Sequence, residues 1–490
     1  MILWKNGYFH TLEDETKTYQ KLATNQGLIV GFDDDINDLD FENEIDLKGH
    51  HIYPGFVDSH LHLIGYGQKL SLVSLEKLNN KDALLNELKK QVGLHQSFFE
   101  GYRPLNIDKY DLNKINSKGP IILRHSDYHS VTVNDYVLDS IGIDSKTGFL
   151  TEDDAKLVIK IFHKQDKDML KDMLEISINK LYSYGITGGH SDDLYYFNGF
   201  QETLDIFNET LVNLPFRAHL LMHYKIIDNF IDSKLAFLDQ NQYLQLGAVK
   251  IFYDGTFTSK TALLNHPYLH TNDQGMRMFD KNELIELVKK LRKHDLPLAI
   301  HVIGDLGLKE LIDILETYPP KKGLHDRIIH ASLADLDTIK RMEKLPIILD
   351  VQPQFITSDL PQILGVFSKQ PQFIYPLKTY LNHNITICGS SDAPVEDPNP
   401  FKGMHVAITR TQNNNQIFQE EERLTRYEAL KLYTTYANVP TYKTNRGLLK
   451  KGYIADFTVT KDDLLKIDLN QFLNQSVEMT IINEKIVYKR

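Results

Sequence analysis

The sequence predicts an α/β chain built on a (β/α)8 TIM-like barrel, with a small β-sandwich domain made from both chain ends and an inserted lid domain. Three observations carry this reading. Eight apolar runs of strand length recur between amphipathic helical segments over most of the chain. Both ends read instead as short strands and turns. The stretch 65–165 is far too long for a βα connection. A chain of 490 residues can hold two or more domains. The boundaries expected are 1–50 plus 445–490 for the β domain, 51–444 for the barrel, and 65–165 for the insertion within it.

The strand runs are 51–62, 185–191, 216–224, 247–254, 296–303, 327–332, 347–353 and 384–391. Most are continuously apolar rather than alternating, as in parallel strands buried on both faces. A helix over about 167–184 places Met169, Leu170, Met173, Leu174, Ile178 and Leu181 on one face, with Gly185 as its C-cap. Asp280 and Glu283 form a capping box ahead of Leu284, Leu287, Val288 and Leu291, and Thr425 and Glu428 stand in the same relation. Eight strands with crossover helices favour a closed barrel over an open sheet. At the ends, Leu3–Phe9 and Met479–Ile482 read as short strands that meet in one domain. The run Pro120–His125 is a ninth strand-like segment, assigned to the insertion.

Composition excludes several classes. Apolar residues at 42% and charged residues at 25% are those of an ordinary globular protein. A formal charge of −11 argues against nucleic acid or an anionic membrane as partner. The single cysteine, Cys388, rules out an internal disulfide and suits a reducing cytoplasm. No basic and apolar leader opens the chain, and no uninterrupted apolar run has the length of a membrane span. The partner expected is a small molecule; a homodimer is left open.

The chemistry is read from strand ends, because catalytic groups of a barrel sit at the C-terminal mouth. His60 and His62 stand two residues apart at the end of an apolar run, and strand positions i and i+2 face the same side. With 20 histidines in the chain, about one such pair is expected by chance, so the spacing alone is weak. Lys250, His301 and His330 each lie at or near the end of a later run, and Asp392 follows the last one. Imidazole and carboxylate ligands suit Zn²⁺ and similar ions. A single buried histidine is more often a hydrogen-bonded core residue; repeated placement at strand ends is hard to obtain from packing. A lysine in mid-strand is costly to bury unpaired, and its bland reading is a salt bridge to Asp254 or Asp305. Asp305 also reads as a cap for the helix starting near Leu306.

The segments PGFVDSHLHL, GAVKIFYDGTFTSKTALL, AIHVIGD, IIHASL, VQPQF, GSSDAPVEDPNPF and LTRYEALKLYTTYAN…GLLKKGYIADFTV together resemble the amidohydrolase superfamily, in its amidohydrolase-3 branch. The ends LWKNGYFHTL and IINEKIVYKR resemble it too, so the likeness runs over nearly the whole chain in order. In the insertion, His129–Asn134 is family-like, with Tyr128 where a glycine is usual.

The resemblance implies that His60 and His62 hold a more buried divalent metal, and His301 and His330 a second. It implies that Lys250 takes up CO₂ as a bridging carbamate. Asp392 then holds metal and takes a proton from the attacking water. It also implies one or two metal ions per chain, most simply Zn²⁺, and a hydrolase acting on a non-peptide carbon–nitrogen bond of amide or N-formyl type. His129, Asp254 and Asp305 are the substrate-side candidates. Phe98, Phe99, Tyr102, Phe252, Tyr253 and Phe257 hint at an apolar acyl or N-substituent on the substrate, and most of them read equally well as core. An esterase or lactonase would use the same site. A deaminase would resemble a pattern with Glu shortly after His301, where this chain has Val302-Ile303-Gly304-Asp305. A silent homologue with a structural or regulatory role is the reading from another class, since fold does not fix function.

Overall fold

Eight parallel strands follow the apolar runs: β1 (Phe56–Leu61), β2 (Ile186–Ser191), β3 (Arg217–His223), β4 (Leu244–Phe252), β5 (Leu298–Val302), β6 (Asp326–His330), β7 (Ile347–Val351) and β8 (Thr386–Gly389). They pair in chain order from β1 to β8. Nearly every strand residue is buried, which is why the sequence reads as continuous apolar runs. Just beyond the strand ends, the Asp392 N–H donates to the His60 carbonyl (2.8 Å) and the His62 N–H to the Ala393 carbonyl (2.7 Å). These two bonds stitch β1 to the segment after β8, so the eight strands form a nearly closed barrel. This computed structural model describes residues 1–94, 96–126, 130–162 and 166–490.

Helices connect the strands. Lys281–Lys293 starts with the Asp280/Glu283 capping box and buries Leu284, Val288 and Leu291. Arg426–Leu432 starts with the equivalent Thr425/Glu428 box. Asp305–Thr317 departs from expectation: its N-cap is Gly304, and Asp305 is the first helical residue. No helix among the described residues is long and apolar enough to cross a membrane.

The run 51–62 is two strands, not one. His51–Pro54 pairs into a different sheet and the chain breaks at Gly55, where an added Cβ would stand 2.4 Å from the Thr187 side chain. A continuous apolar run hides such a break, because both halves are buried. The small domain holds two sheets. One has four strands, all from residues 2–46; the other has six, mixing Tyr8–His10, Thr18–Tyr19 and His51–Pro54 with Phe457–Thr460, Val477–Ile482 and Lys485–Lys489. Trp4, Phe9, Ile52, Phe457 and Ile481 share their apolar core. Arg217 at the start of β3 grips Asp456 with two hydrogen bonds (2.9 and 3.0 Å), tying the barrel to these sheets.

The chain divides into two compact units, Met1–Leu63 with Ser177–Arg490, and Ile64–Ile176. The second carries its own five-stranded sheet, ordered Phe149–Thr151, Ser130–Val133, Ile122–His125, Phe98–Tyr102, Val73–Ser74. The ninth strand-like run is thus part of this sheet. Alternation sends Phe99 and Leu123 into one apolar cluster and Phe98 and Ile122 into another. Phe98, Phe99 and Tyr102 are core residues of this unit.

Candidate metal centre

Side chains from five strand ends converge inside the barrel mouth. His60 Nε2 lies 3.1 Å from Lys250 Nζ, which reaches across the lumen from β4, and 3.3 Å from Asp392 Oδ1. The same oxygen is 3.7 Å from His62 Nε2, and the other Asp392 oxygen is 4.0 Å from His330 Nε2. Ligand atoms of His60, His62 and Asp392 all lie within 4.8 Å of one another. Atoms bound at about 2.0–2.2 Å to one ion stand roughly 3–4 Å apart, so these separations fit a shared divalent ion. His301 joins through its ring, 4.5 Å from that of His330.

Hydrogen bonds decide which ring nitrogens are free. His330 Nδ1 lies 2.7 Å from Gln352 Oε1 and His301 Nε2 lies 3.3 Å from the Gly255 carbonyl. Both partners are acceptors, so these nitrogens carry the protons. His330 Nε2 and His301 Nδ1 keep lone pairs, the arrangement that orients a metal-binding imidazole. Burial holds His60 and His301 well below the usual imidazole range and lowers His330 to about 4. All three are neutral near pH 7, as ligands must be. His62 is raised: burial opposes protonation, but Asp392, Asp192 and Asp193 outweigh it. Burial would lift Asp392, yet hydrogen bonds from His60 and His62 hold it well below the usual carboxylate range. Burial lowers the Lys250 ammonium, against the pull of Asp192 and Asp392.

Backbone conformation at the site is unusual. His330 (φ +76°), Ala331 (φ +44°) and Asp392 (φ +56°) sit in the left-handed region, at a cost of about 1–3 kcal/mol each. The surrounding bonds over-determine this geometry. Asp58 accepts from the His60 N–H (3.1 Å), the Ser391 N–H (3.2 Å) and the Ser391 hydroxyl (2.6 Å), clamping β1 against the loop that carries Asp392.

The substrate-side candidates fare differently. Asp254 is fully buried and accepts backbone N–H bonds from Leu263, Ile303 and Gly304 (2.8–2.9 Å), so it binds the loops after β4 and β5 together; one oxygen lies 3.9 Å from His301 Nε2. Asp305 is engaged by both the backbone and side chain of Asn265 (2.9 and 2.8 Å). His129 lies outside the described residues. Neither Asp254 nor Asp305 is the acid beside Lys250. That place belongs to Asp192, 3.7 Å from Lys250 Nζ, whose other contact is the Tyr196 hydroxyl donating at 3.2 Å. Asp192-Asp193 directly follows the run 185–191, so the strand-end rule applied to that run finds it. Gln352 carries no such signal, because an amide after an apolar run is common.

Residues 43–488 match the amidohydrolase family. The chain is 32% identical to "Putative amidohydrolase YtcJ" of Bacillus subtilis (strain 168), over 100% of this chain and 99% of that one. It is 22% identical to the N-substituted formamide deformylase of Arthrobacter pascens, over 91% of this chain and 90% of that one. Among solved structures, an uncharacterized metal-dependent hydrolase from Pyrococcus furiosus superposes with a TM-score of 0.82 at 25% identity, over 95% of this chain and 100% of that one. With a barrel of this topology and histidines converging on an acid at its mouth, this chain belongs to the amidohydrolase family.

Proposed function

We propose that the chain hydrolyses an amide or N-formyl carbon–nitrogen bond, outside peptides, in a small molecule. The observation that supports this best is the convergence of His60, His62, His330 and Asp392 on one point in the lumen, with Lys250 and His301 beside it. His60, His62, His301, His330 and Asp392 would hold one or two Zn²⁺ ions. Such an ion lowers the pKa of a bound water to about 7 and polarises a carbonyl oxygen.

The chain's own groups supply the rest. Asp392, ionised and acceptor-only, takes a proton from the attacking water and returns it to the nitrogen as the carbon–nitrogen bond breaks. Lys250 is buried, with its nitrogen 3.1 Å from His60 Nε2, 3.7 Å from Asp192 and 4.6 Å from the Phe252 ring centre. In its uncharged form the amine would attack CO₂: a carbon–nitrogen bond forms, an electron pair moves to oxygen, and the N–H proton leaves to water. The resulting carbamate is a carboxylate able to hold two cations.

Elemental analysis of protein never exposed to chelator is expected to find one or two divalent ions per chain. Lys250→Ala is expected to be nearly inactive, with partial rescue by short carboxylic acids. A screen of N-formyl, N-acyl and ester substrates is expected to show turnover at the carbon–nitrogen bond. Protein without transition metal, or turnover of esters alone, overturns the proposal.

A further inference from the structure

The six-stranded sheet has a second face that the sandwich core does not use. Phe9 and Ile52 point into that core, so by alternation Tyr8, His10, His51 and Tyr53 share the opposite face. There the rings stack in series. Tyr8 lies on His51 (centroids 4.9 Å apart), His51 beside His10 (5.2 Å), and His10 on Tyr53 (4.4 Å, planes 9° apart). The loop after Phe457–Thr460 brings Asp463 alongside, because Thr460 is paired with His51.

We propose that His10, His51 and Asp463 form a second divalent-metal site, separate from the barrel centre, that takes Zn²⁺ or a similar borderline ion. His10 Nε2 lies 2.9 Å from His51 Nδ1 and 3.9 Å from Asp463 Oδ1, and all three ligand atoms fall within 4.8 Å of one another. Two imidazole nitrogens and one carboxylate oxygen about 2.0–2.2 Å from an ion would stand roughly 3.3–3.6 Å apart, between the two measured separations.

A hydrogen bond between the two histidines accounts for the shorter contact. His10 and Asp463 are nearly buried, with side chains 5% and 12% exposed. Two imidazoles and a carboxylate are a donor set that suits such an ion. Asp463 is held in place by the Leu465 N–H (3.0 Å) and the Tyr53 hydroxyl (3.2 Å), both donating to Oδ1, and an ion would take the place of the hydroxyl there. Lys466, mostly exposed and 3.3 Å from the other oxygen, is the cation such an ion would displace. Because the ligands come from residues 10, 51 and 463, the ion would join the two ends of the chain directly.

The test uses the full chain and Zn²⁺ alone. Wild-type protein saturated with Zn²⁺ is expected to bind one ion more than His10→Gln or Asp463→Asn, while His60→Ala keeps this extra ion. Affinity for it is expected to fall at least tenfold in either variant, since even loss of an outer partner costs about that much. An anomalous-scattering map at the zinc edge, from wild-type crystals grown with excess Zn²⁺, needs no variant and should show a peak between the three side chains. Equal stoichiometry in wild type and both variants, or a map with no peak there, overturns the proposal.

Discussion

The lumen of the barrel holds two polar layers that treat buried charge in opposite ways. In the lower layer every charge is matched. Arg327 on β6 grips Asp350 through Nε and Nη2 (both 2.9 Å), donates to the Ser59 carbonyl (2.6 Å) and meets His190 Nδ1 (3.1 Å). Beside it His219 Nδ1 is bonded to Gln245 Oε1 (2.9 Å), so close to β4 that a Cβ on Gly247 would stand 2.4 Å from the ring. In the upper layer the donor atoms crowd one carboxylate without being paired off one to one. Leu221, Ala248, Ala299 and Ile329 form an apolar cluster between the layers, since Leu221 lies two residues from His219 and from His223, and Ala248 and Ala299 lie two residues from Lys250 and His301. A network of paired charges fixes a shape; donors gathered on one carboxylate keep binding capacity.

Breaking the upper layer should cost activity and spare the fold. Asp392→Asn keeps size and much of the hydrogen bonding but removes the basic oxygen, so turnover is expected to fall by ~10²–10⁴-fold, with metal retained and the urea midpoint little changed. Near-normal turnover would show that another group moves the proton; a variant that unfolds would make Asp392 a turn-capping residue instead.

Breaking the lower layer should do the reverse. Arg327→Ala leaves the fully buried Asp350 without its partner, at a cost of about 3–5 kcal/mol in unfolding free energy. The fraction that stays folded is expected to keep its metal content. An inactive variant of undiminished stability would erase the distinction between the layers.

The smallest effect sharpens the comparison by pH. Burial, helped by Arg327, lowers His219 to about 3 against the pull of Gln245. The unfolded chain binds a proton near pH 6.5 that the folded chain refuses, so stability rises with pH between 3 and 6.5 and is lost on acidification through that window. From pH 7 to pH 5 this group alone removes about 2 kcal/mol. Urea titrations at the two pH values should show it, and His219→Gln should flatten the slope. An unchanged slope would mean that His219 is already charged in the fold.

The upper layer is easier to read from sequence than the lower. His60, Lys250, His301 and His330 interrupt or end apolar runs, and a polar residue at a strand terminus is visible without knowing its neighbours. Arg327 and Asp350 also lie in apolar runs, but their pairing joins β6 to β7 and, through Ser59 and His190, to β1 and β2. Only the closed barrel makes those contacts. The eight strands are legible because burial on both faces leaves long apolar runs, and Gly55 escapes because those runs do not change character where one sheet ends and another begins. The Asp280 and Thr425 boxes are legible because capping is local in sequence. Asp192 is a different failure: the rule that finds Asp392 applies to it equally.

Asp254 has a consequence for how such a chain diversifies. By taking three backbone N–H groups from Leu263, Ile303 and Gly304, it fastens the root of the long β4–β5 excursion to the strand end that presents His301. The segment where Met276 and Met278 are exposed is fastened there too, because Arg277 bridges to Asp254 and the Met278 N–H donates to the Tyr253 carbonyl (2.8 Å). Changes in that excursion and at the strand end of His301 are therefore linked through one carboxylate rather than independent.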